Sequence, residues 1–97
     1  MKKPKTVDDW ELYSGKDSEE AARELTLALD KAEAELRKGL TGKASVVLGK
    51  LMDKHLDPVM QMWQRCGTWD SEPRWVAKGY LRTLCQELYG TGGDADF

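Results

Sequence analysis

Few residues of this chain could carry chemistry: a single histidine, two cysteines and scattered carboxylates. His55 has Asp53 and Asp57 two positions away on either side, and on a helix that spacing points the three side chains to different faces. Cys66 and Cys85 have no second pair of ligands to complete a zinc site, and nothing beside them marks an activated thiol. We therefore predict no catalytic residue, no metal site and no cofactor, and we expect both cysteines to be reduced.

The composition predicts one small domain outside any membrane. The chain has 97 residues, of which 40% are apolar and 33% charged. No stretch approaches the roughly 20 apolar residues that span a bilayer. The basic start is followed by Asp8 and Asp9, where a signal peptide requires an apolar run. We therefore expect a cytoplasmic protein.

The charge pattern does not predict direct binding of nucleic acid. The net charge is −2, and 15 basic residues are spread among 17 acidic ones. Residues 40–66 carry an excess of positive charge, but no segment reaches the density of a nucleic-acid-binding stripe. The acidic block at 17–39 is typical of a solvated helix face, although it could instead face a basic partner.

The N-terminal half is predicted to form an arm and a long helix. Residues 1–16 form the arm, in which we expect a turn over 7–13 and Trp10 tucked onto the body. Asp17 is placed to cap a helix over 18–38, and Gly39 to end it. An apolar stripe at helical spacing runs along it: Ala22, Leu25, Leu29, Ala32 and Leu36. This stripe favours packing within one domain, with a dimeric coiled coil as the alternative.

A second helix is expected to begin near Thr41 or Gly42. Its predicted buried face consists of Ala44, Val47, Leu48, Leu51, Met52 and His55. Proline disfavours the helical conformation at the residue before it, so we predict a break at Asp57 and a short helix from Pro58 to about Arg65. Asp57 would cap the short helix and Gly67 would end the segment. One kinked helix is the alternative.

The last predicted helix begins near Pro73, capped by Asp70 or Ser71, and runs from there to Tyr89. We expect its buried face to hold Val76, Ala77, Tyr80, Leu81, Leu84 and Leu88. Gly79 in its middle suggests a close approach between helices, and Gly90 should end it. Residues 17–90 would form the helical domain and residues 91–97 a flexible tail. The predicted fold is therefore all-α, a small bundle of three to four helices.

Tryptophan, methionine and arginine cluster between positions 60 and 75, and these types are enriched where proteins contact one another. Met60 and Met62 lie two apart and cannot share one helix face, so at least one should point outward. We expect Trp75 in the core. Trp69 stands in a polar loop, where burial and a partner-facing role both stay open. The predicted partner-binding surface comprises Met60, Met62, Trp63, Arg65, Trp69, Pro73 and Arg74.

Part of the chain resembles a known class of phage proteins. The resemblance lies in the segment from Trp63 to Trp75 and in the opening Asp9-Trp10…Tyr13-Ser14-Gly15-Lys16-Asp17. Both are similar to small accessory proteins from recombination operons of lambdoid phages, in particular the anti-RecBCD family. The resemblance implies a short helical protein without an active site that binds the host RecBCD helicase-nuclease, so that phage DNA ends survive and recombine. It also implies a prolyl isomerase as a second partner, to which the Glu72–Pro73 bond would be presented.

A second function class stays open. The chain could be a small helical DNA-associated regulatory protein that uses the 58–66 helix in a helix-turn-helix. The positive charge of residues 40–66 is the observation in its favour, and retention on heparin that falls steeply with salt would identify it.

Overall fold

The computed structural model describes residues 3–69 and 72–90. Over these residues the chain is helical and contains no strand, which confirms the predicted all-α class. The helices are α1 (Lys16–Lys38), α2 (Ala44–Leu51), α3 (Asp57–Gln64) and α4 (Glu72–Tyr89), with a π turn (Met52–Leu56) between α2 and α3. In the described part of the chain, no helix combines the length and the apolar character needed to cross a membrane.

Helix α1 forms around the predicted apolar stripe. All five stripe residues are buried in a core shared with α2 and α4, so the stripe packs within one domain. The helix begins at Lys16, however, and Gly15 precedes it without any side-chain cap, so the predicted cap at Asp17 is wrong. Asp17 lies instead in the first turn, where its charge favours the positive end of the helix dipole. Gly39 ends the helix with φ at 147°, a value that residues with a side chain rarely adopt.

The predicted break at Asp57 is wrong. Of the alternative, one kinked helix, the structure shows the single helix, with a π turn just before Asp57 and Pro58. Leu51, Met52, Leu56 and Asp57 all keep helical backbone angles, so α2, the π turn and α3 form one helix. Pro58 has no N–H to bond four residues back, and its ring would clash with the carbonyl there. The π turn accommodates this, because the N–H of Asp57 reaches five residues back to the carbonyl of Met52. Asp57 therefore caps nothing.

The predicted buried face of this helix is otherwise confirmed. Ala44, Leu48, Leu51 and Met52 are buried, while Val47 and His55 are half-buried. As predicted, α3 ends just before a turn at Gly67, whose φ is 71°.

Helix α4 closes the bundle. Pro73 lies in its first turn, as predicted, and is fully buried; the proposed caps at 70 and 71 lie outside the described residues. Ala77, Tyr80, Leu81 and Leu84 are buried as expected, joined by Cys85, but Leu88 is exposed. The close approach predicted at Gly79 is also wrong, because a Cβ placed there would meet nothing within 4 Å. Gly90 ends the helix with φ at 68°, and the predicted tail at 91–97 lies outside the described residues.

The N-terminal arm is part of the core. Its backbone turns between Thr6 and Leu12, and Trp10 is completely buried, as predicted. The indole N–H of Trp10 donates a hydrogen bond to Oγ1 of Thr26 on α1, at 3.1 Å. At the end of the arm, the backbone N–H of Tyr13 donates to the carbonyl of Thr68 at 2.9 Å. The arm therefore joins α1 to the loop that follows α3.

Candidate functional site

The structure separates the seven residues predicted to form a partner-binding surface. Met62 and Arg65 are exposed, and Trp63 and Arg74 are half-buried. Met60 is only 7% exposed, so Met62 is the methionine that points outward, and the prediction that at least one of the two does so is confirmed. Trp69 and Pro73 belong to the core as well. Three of the seven side chains are thus unable to form part of an exposed surface.

Trp69 is buried because distant segments fold over its loop. The arm bonds to the carbonyl of Thr68, and the hydroxyl of Thr68 donates to the carbonyl of Trp63 at 3.1 Å. These bonds hold the loop against the core, where Trp69 is 6% exposed. Of the two alternatives left open for Trp69, burial is therefore the correct one.

Pro73 is enclosed in the first turn of α4 and is less than 2% exposed. No peptide bond is cis among the residues that the structure describes. A prolyl isomerase needs access to the proline and to the bond before it, and this placement denies that access. The placement of Pro73 thus does not support its expected presentation to such an enzyme.

Trp75, expected in the core, is the most exposed large apolar side chain of the described residues, at 63%. It lies nine positions before Leu84, which is buried, and nine residues of an α-helix turn through about 900°, which is half a turn beyond a whole number. Trp75 thus points directly away from the core. The predicted buried positions of α4, Leu84 among them, indicate this outward direction of Trp75 from the sequence alone.

The side of α4 that faces away from the core carries Trp75, Lys78, Gly79, Arg82 and Gln86, and we name it the α4 outer face. The ammonium of Lys78 lies 5.3 Å from the centre of the Trp75 ring, within the range of a cation–π contact. Gly79, one turn beyond Trp75, has no side chain, and the space that its Cβ would occupy is open. Two of these five residues, Lys78 and Arg82, are cations.

Arg74 is engaged in the fold and is less available to a partner. Its guanidinium pairs with the carboxylate of Asp57, which links the first turn of α4 to the start of α3. Partial burial and the neighbouring Asp53 carboxyl raise the pKa of Asp57, although the charge of Arg74 opposes that rise. The pair therefore positions α4 against α3.

Trp63 lies near the end of α3 and carries a polar group that the fold encloses. Its ring is half-buried, and its indole nitrogen is enclosed without a hydrogen-bond partner among the described residues. A buried donor without a partner is costly, because it has lost its bonds to water. Trp63 therefore packs against the core, and its indole N–H lacks a hydrogen bond to the described residues.

The residues considered for chemistry do not form a recognisable centre. His55 pairs with Glu35 of α1, and in the described ranges no three His, Cys, Asp or Glu side chains come together as metal ligands would. Cys66 is exposed, Cys85 is buried and no disulfide joins the two.

Comparisons with known proteins add no family to these observations. No protein-family model, curated protein or solved structure matched the chain.

Proposed function

We propose that this chain is a non-enzymatic protein-binding module whose contact surface is the α4 outer face. The observation that carries the proposal is the exposure of Trp75 directly opposite the buried side of its own helix. A tryptophan offers about 150–250 Å² of surface, and covering it with a partner would stabilise a complex. Tryptophan and arginine are also the residue types that contribute most strongly at protein interfaces, and the face contains both.

The charge of the face indicates the chemistry of the partner. Lys78 and Arg82 follow Trp75 along the helix, about one and two turns beyond it. A partner surface that presents an apolar pocket for the indole with carboxylates around it would be complementary, and such complementarity speeds association.

The resemblance to lambdoid phage accessory proteins supplies the more specific part of the proposal. On that resemblance, the partner is the host RecBCD helicase-nuclease, bound in the bacterial cytoplasm, and the consequence of binding is protection of phage DNA ends and recombination. The α4 outer face offers a surface for such binding that requires no active site. Pro73 is left out of this surface, and a prolyl isomerase is left out of the proposed partners, because the proline is buried.

The test is binding of the purified chain to purified RecBCD helicase-nuclease, measured by biolayer interferometry. We expect the wild type to bind and Trp75→Ala to weaken the Kd by about 30-fold, as the loss of an interface hot spot would. Tyr13→Ala is the matched control, since Tyr13 is an aromatic residue of similar exposure on the N-terminal arm. Binding that Trp75→Ala leaves unchanged would contradict the α4 outer face, and no binding by the wild type would contradict the helicase-nuclease as partner.

One observation weighs against the DNA-associated alternative. A helix-turn-helix needs a turn before its recognition helix, whereas α3 continues from α2 through the π turn. The positive charge counted over residues 40–66 therefore does not lie on a separate recognition helix.

A further inference from the structure

A furrow runs along the side of α1 that faces away from α4. One wall is a stripe of α1 that contains Glu24, Leu27, Lys31, Glu35 and Lys38. The opposite wall is the helix made of α2, the π turn and α3. The furrow has two stretches of about 410 and 300 Å³, and Lys54 of the π turn lines both. We name it the α1 furrow.

The two stretches lie end to end along α1, and Lys54 lines both of them. Glu24 and Lys38 are fourteen positions apart on the same stripe, which corresponds to about 21 Å along the helix. Glu33, which bonds Tyr80 of α4, is nine positions from Glu24 and so points to the other side of α1. The furrow is therefore separate from the α4 outer face by position.

Apolar side chains stand open to solvent near both ends of the furrow. Leu27 is 60% exposed in the smaller stretch, and Val46 of α2 is 50% exposed in the larger one. Half-buried Val47 and Val59 lie beside them. Together they offer apolar contacts spread along a length that a single side chain or small ligand would not cover.

The rim of the furrow is basic, although the chain as a whole is acidic. Four lysines line it, at positions 31, 38, 50 and 54, against the two carboxylates Glu24 and Glu35. Lys31, Lys38 and Lys50 are exposed and form no ion pair with any residue in the ranges 3–69 and 72–90. Their charge is therefore available to an occupant.

The carboxylate of Glu35 in the middle of the furrow is already paired. It accepts hydrogen bonds from His55 and from Lys54, the latter at 3.1 Å, and these two contacts lower the pKa of Glu35. The pairs join α1 to the π turn across the furrow. An incoming group thus meets a neutralised carboxylate at the centre and unpaired lysines at the rim.

We propose that the α1 furrow binds an acidic amphipathic helix of a partner protein. A groove between two packed helices is the position in which a third helix completes a bundle, and the length fits about 14 helical residues. The apolar side of that helix would contact Leu27 and Val46, and its carboxylates would pair with Lys31, Lys38 and Lys50. This surface does not depend on the α4 outer face or on the identity of the partner proposed above.

The test uses a defined probe. A fluorescein-labelled helical peptide of about 16 residues, with leucine along one face and glutamate on both sides of it, is titrated with the full chain and followed by fluorescence anisotropy. We expect saturable binding that weakens with salt, and at least about tenfold weaker binding of the same peptide with lysine in place of glutamate.

Two variants and one control locate the binding. Lys31→Glu/Lys38→Glu/Lys50→Glu should weaken peptide binding by about tenfold or more, and Leu27→Ser/Val46→Ser should also weaken it, because all five side chains are exposed. The matched control, Lys5→Glu/Lys16→Glu/Arg23→Glu, changes the net charge equally outside the furrow and should bind within about twofold of the wild type. Circular dichroism verifies that each variant is folded.

The proposal is overturned if the glutamate peptide does not bind, if the lysine peptide binds equally well, or if the control loses as much affinity as the furrow variant. It is also overturned if sedimentation shows that the wild type self-associates and only the furrow variant stays monomeric, since a second copy would then be the occupant. None of these measurements contains the helicase-nuclease, so failure here is distinct from failure of the proposed function.

Discussion

The hydroxyl of Tyr80 on α4 donates a hydrogen bond to Oε1 of Glu33 on α1, across 2.6 Å. The same carboxylate accepts from Arg37, and Lys3 of the arm lies 3.1 Å from it. Partial burial disfavours the charged form of Glu33, but the bonds from Tyr80, Arg37 and Lys3 outweigh burial and lower its pKa to about 2. Burial and the bond to Glu33 raise the pKa of Tyr80 to about 12. The arm, α1 and α4 thus meet at one ionised carboxylate.

Because of the pair formed by Glu33 and Tyr80, the free energy of unfolding should fall at both low and high pH. The pKa of Glu33 is lower in the folded chain than its ordinary value of 4.5, so its contribution is present above that value and lost as the pH falls toward 2. The pKa of Tyr80 is raised from 10.0, so its contribution is present below pH 10 and lost as the pH rises toward 12. Urea unfolding across this range should show both losses.

Tyr80→Phe should destabilise the chain by about 2 kcal/mol near neutral pH, because it removes a bond to a charged acceptor. The difference from wild type should shrink as the pH falls from 4.5 toward 2 and as it rises from 10 toward 12, because one partner of the bond changes its charge in each range. Urea unfolding at several pH values checks this. Tyr13→Phe serves as the control, since that ring is exposed; an equal loss in both variants would contradict the role of the pair.

Trp69→Ala and Trp75→Ala should differ sharply in stability. The first removes a core side chain and should cost about 3–5 kcal/mol, whereas the second removes an exposed one and should stay within about 0.5 kcal/mol of wild type. Chemical denaturation of the two variants under one set of conditions measures the difference. If both variants lost a similar free energy of unfolding, this would contradict the burial of Trp69 in the core and the exposure of Trp75 at the surface.

The arm should be required for full stability. Trp10→Ala empties a completely buried site and removes the bond to Thr26, so we expect a loss of about 3–5 kcal/mol. Tyr13→Ala, in the same arm but exposed, should cost much less. A thermal melt of each variant distinguishes them, and an unchanged midpoint for Trp10→Ala would mean that the arm does not hold the core.

The two cysteines should react at different rates. Cys66 is exposed and Cys85 is buried, and thiol reagents require access to sulfur. Ellman's reagent should therefore modify one thiol per native chain quickly and the second only after unfolding in guanidinium. The variant Cys66→Ser should abolish the fast phase, and a fast phase that persists would place Cys85 at the surface.

Much of the helical framework follows from local sequence. The stripe of α1 and the glycine after it predict the end of the helix closely, and Pro73 and Gly90 do the same for α4. The π turn could not be predicted in this way. Pro58 shows that one backbone hydrogen bond of the helix is missing. Whether the helix then breaks or continues through a π turn depends on distant contacts, such as the one between His55 and Glu35, which lies twenty positions earlier.

The candidate site was predicted less well than the fold. The polar loop around Trp69 favours exposure on local grounds, and its burial depends on the arm, more than fifty positions away. Trp75 differs, because its outward direction was readable from its spacing to Leu84. Position along the helix was thus the better guide for Trp75, and neither position nor composition was enough for Trp69.

The sorting of the tryptophans has a spectroscopic consequence. Trp10 and Trp69 are shielded from water, Trp63 is half-shielded and Trp75 is largely open. Shielded indoles emit at shorter wavelengths and resist quenching by acrylamide, whereas an open indole emits to the red and is quenched readily. A molecule that covers the α4 outer face would shift and protect the red component. A molecule seated in the α1 furrow, whose lining residues include no tryptophan, would leave that component quenchable. The unlabelled chain therefore carries an optical signal that tells the two surfaces apart.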